Sequence, residues 1–323
     1  MSRPFTLVIA GPIASRFSPQ IDEDYLIASI KMIKKLNSMN EVIISTYRDE
    51  VSKRISDAVD LVVINEDPGP DYLKASPWPV GAGPRRKTTN NSRMFATSLS
   101  GIEKAKNPLV IKTRIELLPV GEDFVSWFLA LERELIGHRV GFFTETYTGV
   151  SFSVNGLLGV LPDVLMVGEK SVIQNIWSDA SLFWSQNRIL LTRKMILYPI
   201  GCDQILGMCY LARYHNFPIQ RYKKKLRRQF ISLSLLKAVL QAERNSYVWT
   251  RYRYSGFSVN YFKGIYNLRT PNPIVPRSKR EFCLRLLIML LKKPKHHYRR
   301  LILGYSNEFK KVKRRLTSQF DKK

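Results

Sequence analysis

The sequence predicts an α/β protein with a mainly parallel sheet and flanking helices, followed by a basic, mostly helical C-terminal region. Two observations support this prediction. Short apolar segments alternate with amphipathic helical segments early in the chain, as in α/β domains. Charge is uneven, since residues 1–180 hold 20 basic and 21 acidic residues, whereas residues 181–323 hold 32 basic and 5 acidic ones. We therefore expect two parts, residues 1–215 and 216–323.

The first part of the chain predicts strands and helices in strict alternation. The run TLVIA, ended by Gly11 and Pro12, predicts a first strand in preference to a secretory signal. Apolar residues at helical spacing predict a helix over Asp22–Leu36. Further strands are predicted to end near Tyr47, Asn65 and Arg114, and further helices to cover Asp49–Ser56 and Asn91–Lys106. Such an order gives parallel strands, and ligands bind beyond their carboxyl ends.

The strand predicted over Leu109–Leu117 carries charge where a buried core is expected. Side chains alternate between the two faces of a strand, so Lys112, Arg114 and Glu116 share one side. On the preceding helix, one face holds Phe95, Leu99 and Ile102, and the opposite face holds Asn90, Arg93, Thr97 and Gly101. We expect the apolar face to pack and the polar face to remain available. A solvated helix face and an exposed sheet edge would give the same pattern.

Composition limits the class of protein. A chain of 323 residues with 45% hydrophobic content can bury a large core. Its three cysteines, Cys202, Cys209 and Cys283, have no disulfide or zinc-ligand pattern, which favours a reducing cytoplasm. The sequence contains no run of 18 or more apolar residues, so it does not predict a membrane-spanning helix.

Several short motifs occur in a fixed order along the first part of the chain. They begin with TLVIAGPI, EVIISTY, LVVINEDPGP and a helix start containing Asn91 and Arg93. The later ones are Lys112-x-Arg114-x-Glu116, Asp163 with Gly168, and Asp203 with Gln204. Together they resemble the WavE lipopolysaccharide synthesis family, a group of predicted glycosyltransferases from bacterial surface-polysaccharide clusters. That family typically has Asp at the position of Glu116.

The resemblance implies a fold like the A-type nucleotide-sugar fold of glycosyltransferases. It also implies a nucleotide-sugar donor and a lipid-linked polysaccharide or lipopolysaccharide precursor as acceptor. Asp163 and Asp203 are the implied catalytic residues, one of them a general base for the acceptor hydroxyl. The implied substrate-binding residues are Gly11, Pro12, Asn90, Asn91, Arg93, Lys112, Arg114, Glu116 and Gln204.

The metal requirement stays open at this point. The resemblance gives Glu116 the position of an acid that would hold Mn²⁺ or Mg²⁺. Arg114 stands where the first acid of an Asp-x-Asp pair is usual, and a cation there can bind phosphate itself. Structural alternatives also remain for the two aspartates. Asp163 can be a turn residue after Pro162, and Asp203 can be a helix N-cap.

The C-terminal part predicts a polyanionic partner. Basic clusters mixed with apolar residues occur at Arg221–Phe230 and Phe282–Leu316. They favour an anionic membrane surface and hence a peripheral protein on the inner face of the cytoplasmic membrane. The aromatic stretch Tyr247–Phe262 would also suit nucleic acid, but no nucleic-acid motif accompanies it, so no specific nucleic-acid partner is expected. A non-catalytic carbohydrate- or membrane-binding protein that retains the fold is the main alternative to an enzyme.

Overall fold

The computed structural model describes residues 3–13, 23–47, 51–72, 88–114, 132, 135, 137, 140–144, 161, 163, 165–193, 202–217, 219 and 247–251. The strands are β1 Phe5–Ala10, β2 Glu41–Thr46, β3 Leu61–Ile64, β4 Asp71–Tyr72, β5 Thr88–Thr89, β6 Leu109–Thr113, β7 Val140–Thr144, β8 Leu165–Glu169 and β9 Tyr247–Arg251. The helices are α1 Glu23–Leu36, α2 Lys53–Ala58, α3 Asn91–Lys104, α4 Lys170–Arg193 and α5 Cys202–Tyr214. The predicted alternation of strands and helices is confirmed.

One mixed sheet organises the described residues. Its seven strands lie in the order β3-β2-β1-β6-β8-β7-β9, and β4 pairs separately with β5. The pairs β1–β2, β1–β6, β2–β3 and β7–β9 are parallel, whereas β8 runs antiparallel to both β6 and β7. The sheet is therefore mainly parallel, as predicted, with β8 as a reversed strand that the sequence did not predict.

Helices cover both faces of the sheet and build two hydrophobic clusters. On one face, α1 and α2 pack through residues such as Leu26, Ile30 and Ile55. On the other face, α3, α4 and α5 pack together around Trp177, a residue of α4 that is fully buried. Strands between two helical layers lose water on both faces, which explains why β1, β2 and β6 are buried throughout.

Helix α3 lies directly on the sheet, which corrects the expectation of an available polar face. Thr97 is buried, and a Cβ added to Gly101 would stand 2.5 Å from Cγ1 of Val8 and 2.9 Å from Cβ of Ser45. The predicted apolar face is buried as well, since Phe95 contacts Trp177 with ring centroids 6.0 Å apart. Gly and Thr are small enough to let the helix axis approach the strands, so the part of this polar face that holds Thr97 and Gly101 packs.

Strand β6 ends earlier than the sequence predicted. It stops at Thr113, which is paired with Ile9 of β1 and Leu165 of β8. Arg114 follows this last ladder position. The rest of the predicted strand, including Glu116, lies outside the described residues.

The predicted C-terminal region contributes to the same sheet. Strand β9, at Tyr247–Arg251, pairs along its whole length with β7, whereas the sequence predicted a mostly helical region. The basic segments at Arg221–Phe230 and Phe282–Leu316 lie outside the described residues. In the part of the chain that is described, no helix is long and apolar enough to cross a membrane.

The contact at Gly101 gives a stability prediction. We expect Gly101→Ala to lower the free energy of unfolding, because overpacking costs about 1–3 kcal/mol and exceeds the helix-propensity gain of about 1 kcal/mol. Chemical denaturation measures the change. The double variant Val8→Ala/Gly101→Ala should lose less than the two single variants combined, because Val8 is the nearest obstruction. A Gly101→Ala variant as stable as the wild type would contradict the close packing.

Candidate functional site

The carboxyl edge of the sheet is the edge at which β1, β2, β3 and β6 end. From β1, the chain builds outward through β2 and β3 on one side, and it then returns through α3 to add β6 on the other side. A topological switch point therefore lies between β1 and β6, and such a point opens a crevice in which α/β proteins bind ligands. Gly11 follows β1 and Arg114 follows β6 at this crevice.

Gly11 allows close approach to the end of β1. Its φ of +116° is strained for other residues, and a Cβ added there would meet no atom of the described residues within 4 Å. Its N–H donates to the carbonyl of Ser45, which holds the turn against β2. The backbone after β1 is therefore fixed in shape and open on one side.

A pair of aspartates lies at the carboxyl edge beside β6. The reversed direction of β8 brings its start to this edge, and Asp163 comes two residues before Leu165. The N–H of Asp163 donates to Oδ1 of Asp203 at 2.9 Å, and the N–H of Leu161 donates to the Asp203 carbonyl at 2.9 Å. The start of α5 is thus tied to the segment before β8, and the two carboxyl groups meet.

The aspartate pair titrates as a unit. Burial, the Asp163 charge and the hydrogen bond between the carboxyls raise the pKa of Asp203 well above its ordinary value. Burial opposes ionisation of Asp163, but the hydrogen bond from Asp203 and the Lys112 and Arg114 cations hold its pKa below the ordinary value. Two neighbouring carboxyls whose pKa values are shifted apart in this way share one proton. Asp203 holds that proton, and Asp163 is ionised.

The two aspartates differ in exposure, and Oδ2 of Asp163 is the atom of the pair without a fixed hydrogen bond. No hydrogen-bond donor in the described part of the chain reaches this buried atom. Asp163 is only 4% exposed, whereas Asp203 is partly exposed. The negative charge of the pair is therefore held on the Asp163 side, and the proton on the Asp203 side.

Comparison with known proteins identifies the family. The family described as WavE lipopolysaccharide synthesis matches residues 5–183, which is more than half of the chain. The chain belongs to the WavE lipopolysaccharide synthesis family. No curated protein and no solved structure matches it. The resemblance drawn from the motifs is thereby confirmed, and the family indicates a role in lipopolysaccharide synthesis.

Lys112 of this WavE-family chain lies inside the protein, behind the aspartate pair. It is fully buried, its amine donates to the carbonyl of Asp163, and its Nζ stands 4.6 Å from the ring centroid of Trp177. Burial lowers the pKa of Lys112, and the Asp163 carboxyl acts against that shift. Arg114, by contrast, is only partly buried.

The predicted residues of α3 are divided between the surface and the interior. Asn90 is exposed at the start of the helix, whereas Asn91 is buried. Arg93 forms a paired contact with Asp67 at 2.7 and 2.6 Å, and its guanidinium lies 5.0 Å from the ring centroid of Tyr47. Arg93 is therefore held across the ends of β2 and β3.

Gln204 and the metal ligand are the remaining predicted groups. Gln204 lies in the first turn of α5, directly after Asp203. Glu116 lies outside the described residues, so its role in binding Mn²⁺ or Mg²⁺ stays a prediction. Among the residues that the structure describes, no three His, Cys, Asp or Glu side chains could hold a metal ion. The aspartate pair does not fit a divalent ion either, because Lys112 and Arg114 already supply its positive charge.

A buried carboxylate at the start of α3 was missed by the sequence interpretation. Asp71 is fully buried and accepts hydrogen bonds from the N–H and the hydroxyl of Ser92. Arg188 of α4 approaches it at 2.8 Å, and Nε1 of Trp184 donates to the Ser92 hydroxyl at 2.9 Å. The only signal was an acid in the loop before the helix, since β4 is too short to predict. Asp71 satisfies and neutralises the N-terminus of α3.

Asp71 is expected to matter for stability more than an exposed acid nearby. Asp71→Ala should lower the free energy of unfolding by about 1–3 kcal/mol, because Ser92 and Arg188 lose a buried acceptor. Asp67→Ala is the control, since it removes a partly exposed ion pair that contributes at most about 1 kcal/mol. Chemical denaturation measures both variants. Equal losses would show that Asp71 does not organise the start of α3.

The aspartate pair predicts opposite pH effects for two conservative variants. The folded state binds the Asp203 proton more tightly than the unfolded state, so wild-type stability falls as pH rises from the ordinary Asp pKa toward the raised one. Asp203→Asn mimics the protonated carboxyl, and its stability should exceed that of the wild type increasingly as pH rises. Asp163→Asn should be less stable at neutral pH, because Lys112 loses its counter-charge. Melting temperatures between pH 5 and about 9 test both expectations. An Asp203→Asn variant that loses stability at alkaline pH would rule out the shared proton.

Proposed function

We propose that this chain is a glycosyltransferase that transfers a sugar from a nucleotide-sugar donor to a lipid-linked polysaccharide or lipopolysaccharide precursor. The observation that supports this most directly is the Asp163–Asp203 pair beside the switch point of the sheet. Family membership supports a biosynthetic role, and the crevice supports a bound nucleotide. By analogy, the mainly parallel sheet is of the A-type glycosyltransferase kind.

The chemical role of the pair follows from its two environments. Asp203, which is partly exposed and has a raised pKa, is the general base once it has lost its proton. The acceptor hydroxyl gives its proton to Asp203, and its oxygen forms a bond to the anomeric carbon. The bond from that carbon to the phosphate oxygen breaks, and its electron pair leaves with the nucleotide. Asp163 orients Asp203 and raises its basicity.

The leaving group needs positive charge or backbone donors near its phosphates. Among the described residues, Arg114 is the cation that directly follows β6 at the carboxyl edge of the sheet. Gly11, which follows β1, permits the backbone to approach a phosphate. The N-terminus of α3 is taken by Asp71. Phosphate binding is therefore assigned to the crevice between β1 and β6, and no step is assigned to a metal.

The membrane part of the proposal depends on charge. Residues 181–323 carry 32 basic residues against 5 acidic ones, and each base near an anionic leaflet adds about 1 kcal/mol of attraction. A reversible position on the inner face of the cytoplasmic membrane would bring the enzyme to a lipid-linked acceptor. Vesicles with and without anionic lipid test this part separately from the chemistry.

The transferase proposal predicts loss of turnover in Asp203→Asn. Release of the nucleotide is measured with UDP-, GDP-, CMP- and dTDP-sugars, with and without manganese, in the presence of a membrane extract that contains lipid-linked precursors. We expect one donor class to be used and kcat to fall by about 10²–10⁴-fold in Asp203→Asn, which removes the base. In the wild type, kcat should rise with pH as Asp203 loses its proton.

Asp179→Asn is the matched control, because Asp179 pairs with Arg213 between α4 and α5 and takes no part in the pair. It should keep wild-type turnover. Donor binding, detected as a rise in melting temperature, without turnover of any donor would favour the non-catalytic carbohydrate-binding alternative. Full activity of a folded Asp203→Asn variant would exclude Asp203 as the base.

A further inference from the structure

We propose that Lys112 is a positioning residue, which orients Asp163 through its backbone and holds a fixed positive charge behind the Asp163–Asp203 pair. In its catalytic consequence this inference rests on the proposed function. The electrostatic part of the inference concerns only the Asp163–Asp203 pair, whose titration can be measured without a substrate. The resemblance had implied a different role for Lys112, that of a substrate-binding residue.

The position of Lys112 in the sheet leaves no route to a substrate. It lies inside β6, opposite Val8 of β1 and Met166 of β8, and its side chain is fully buried. Trp177 of α4, also fully buried, covers the amine on one side at 4.6 Å from the ring centroid. The amine donates to the Asp163 carbonyl. A phosphate would have to displace a packed tryptophan to reach it.

The cost of burying a lysine indicates that its charge is used. An ammonium group removed from water loses several kcal/mol of solvation, and an apolar side chain of similar size usually packs at lower cost. Two features of the site compensate the charge. The face of Trp177 attracts a cation, and the ionised Asp163 carboxyl lies nearby. Each feature favours the ammonium form of Lys112, against the lowering of its pKa by burial.

The charges around the pair give Lys112 a defined effect. Among the described residues, the ionisable groups that interact with the two carboxyls are Lys112 and Arg114 from β6 and its end, and Cys202 from the start of α5. Burial and the two carboxyls raise the pKa of Cys202 well above its ordinary value, so the thiol is neutral. Positive charge thus comes from β6, and Lys112 is its fully buried source. Its removal should make the pair hold protons more tightly.

Lys112→Met tests the inference, because methionine keeps the length of the side chain and removes the charge and the donor. The carboxyl groups are followed by NMR in protein labelled with ¹³C at the Asp side-chain carboxyl, and Asp203→Asn identifies the signals of the pair. We expect the pair in Lys112→Met to titrate at higher pH than in the wild type. A titration that superimposes on the wild type overturns the proposal.

Lys170→Met is the matched control. Lys170 also donates from its amine to backbone carbonyls, those of Ala105 at 2.6 Å and Glu103 at 3.1 Å, but it does so at the opposite edge of the sheet. Its loss should leave the titration of the pair unchanged. If Lys170→Met shifts the titration as much as Lys112→Met does, the effect is general loosening, and the proposal is overturned.

Kinetics separates positioning from donor binding. With the donor found by the nucleotide-release assay, Lys112→Met should lower kcat at least tenfold, move the rise of kcat with pH to higher pH, and leave the KM for the donor within about twofold, since the lost interaction acts through Asp203. A tenfold higher KM with unchanged kcat would mean that Lys112 contacts the donor, and would overturn the proposal. Absence of turnover in the wild type would overturn only the proposed function, because the NMR titration needs no substrate.

If Lys112→Met does not fold, Lys112→Gln takes its place. Glutamine retains a donor for the Asp163 carbonyl while removing the charge, so it isolates the electrostatic part. The same upward movement of the titration is expected, and an unchanged titration overturns the proposal. Lys112→Arg keeps the charge, and its titration should lie closer to that of the wild type.

Discussion

The antiparallel pairing of β6 with β8 is the constraint on which the candidate site depends. Because β8 runs against its neighbours, its beginning reaches the carboxyl edge, and Asp163 lies there next to the end of β6. The register from Leu109–Glu169 to Thr113–Leu165 also points Lys112 toward Trp177. A slip of one residue would turn Lys112 to the opposite face and separate its amine from the Asp163 carbonyl. Pairing, burial and charge at the site are therefore consequences of one strand direction.

Most of the first half of the fold was predictable from local sequence patterns. The strands that end before Gly11 and Tyr47, and the helix from Glu23 to Leu36, follow from apolar runs and helical periodicity, which need no knowledge of distant segments. The direction of β8 and the addition of β9 to β7 depend on pairing between segments far apart in the chain. The residue pattern of neither segment indicates the strand with which it pairs, so these features could not be predicted.

The site was predictable as a set of residues but not as an arrangement. Asp163 and Asp203 were chosen from motifs, and forty positions separate them, so their hydrogen bond required the fold. Alternation along β6 grouped Lys112 with Arg114, and both cations lower the pKa of Asp163. Whether that face met solvent depended on α4, which covers it with Trp177, and strand periodicity contains no information about a covering helix.

Two buried aspartates of the same chain show why one is interpreted as structural and the other as functional. Asp71 is surrounded by donors from the protein itself, namely the Ser92 N–H, the Ser92 hydroxyl and the Arg188 guanidinium. Asp163 instead has an oxygen that no donor of the described residues satisfies, and its carboxyl lies beside that of Asp203. Fixed donors minimise the free energy of a buried carboxylate, whereas a shared proton leaves two like groups in contact and raises it. Since the fold provides donors for Asp71, we interpret the unsatisfied pair at the carboxyl edge of the sheet as one that exchanges a proton.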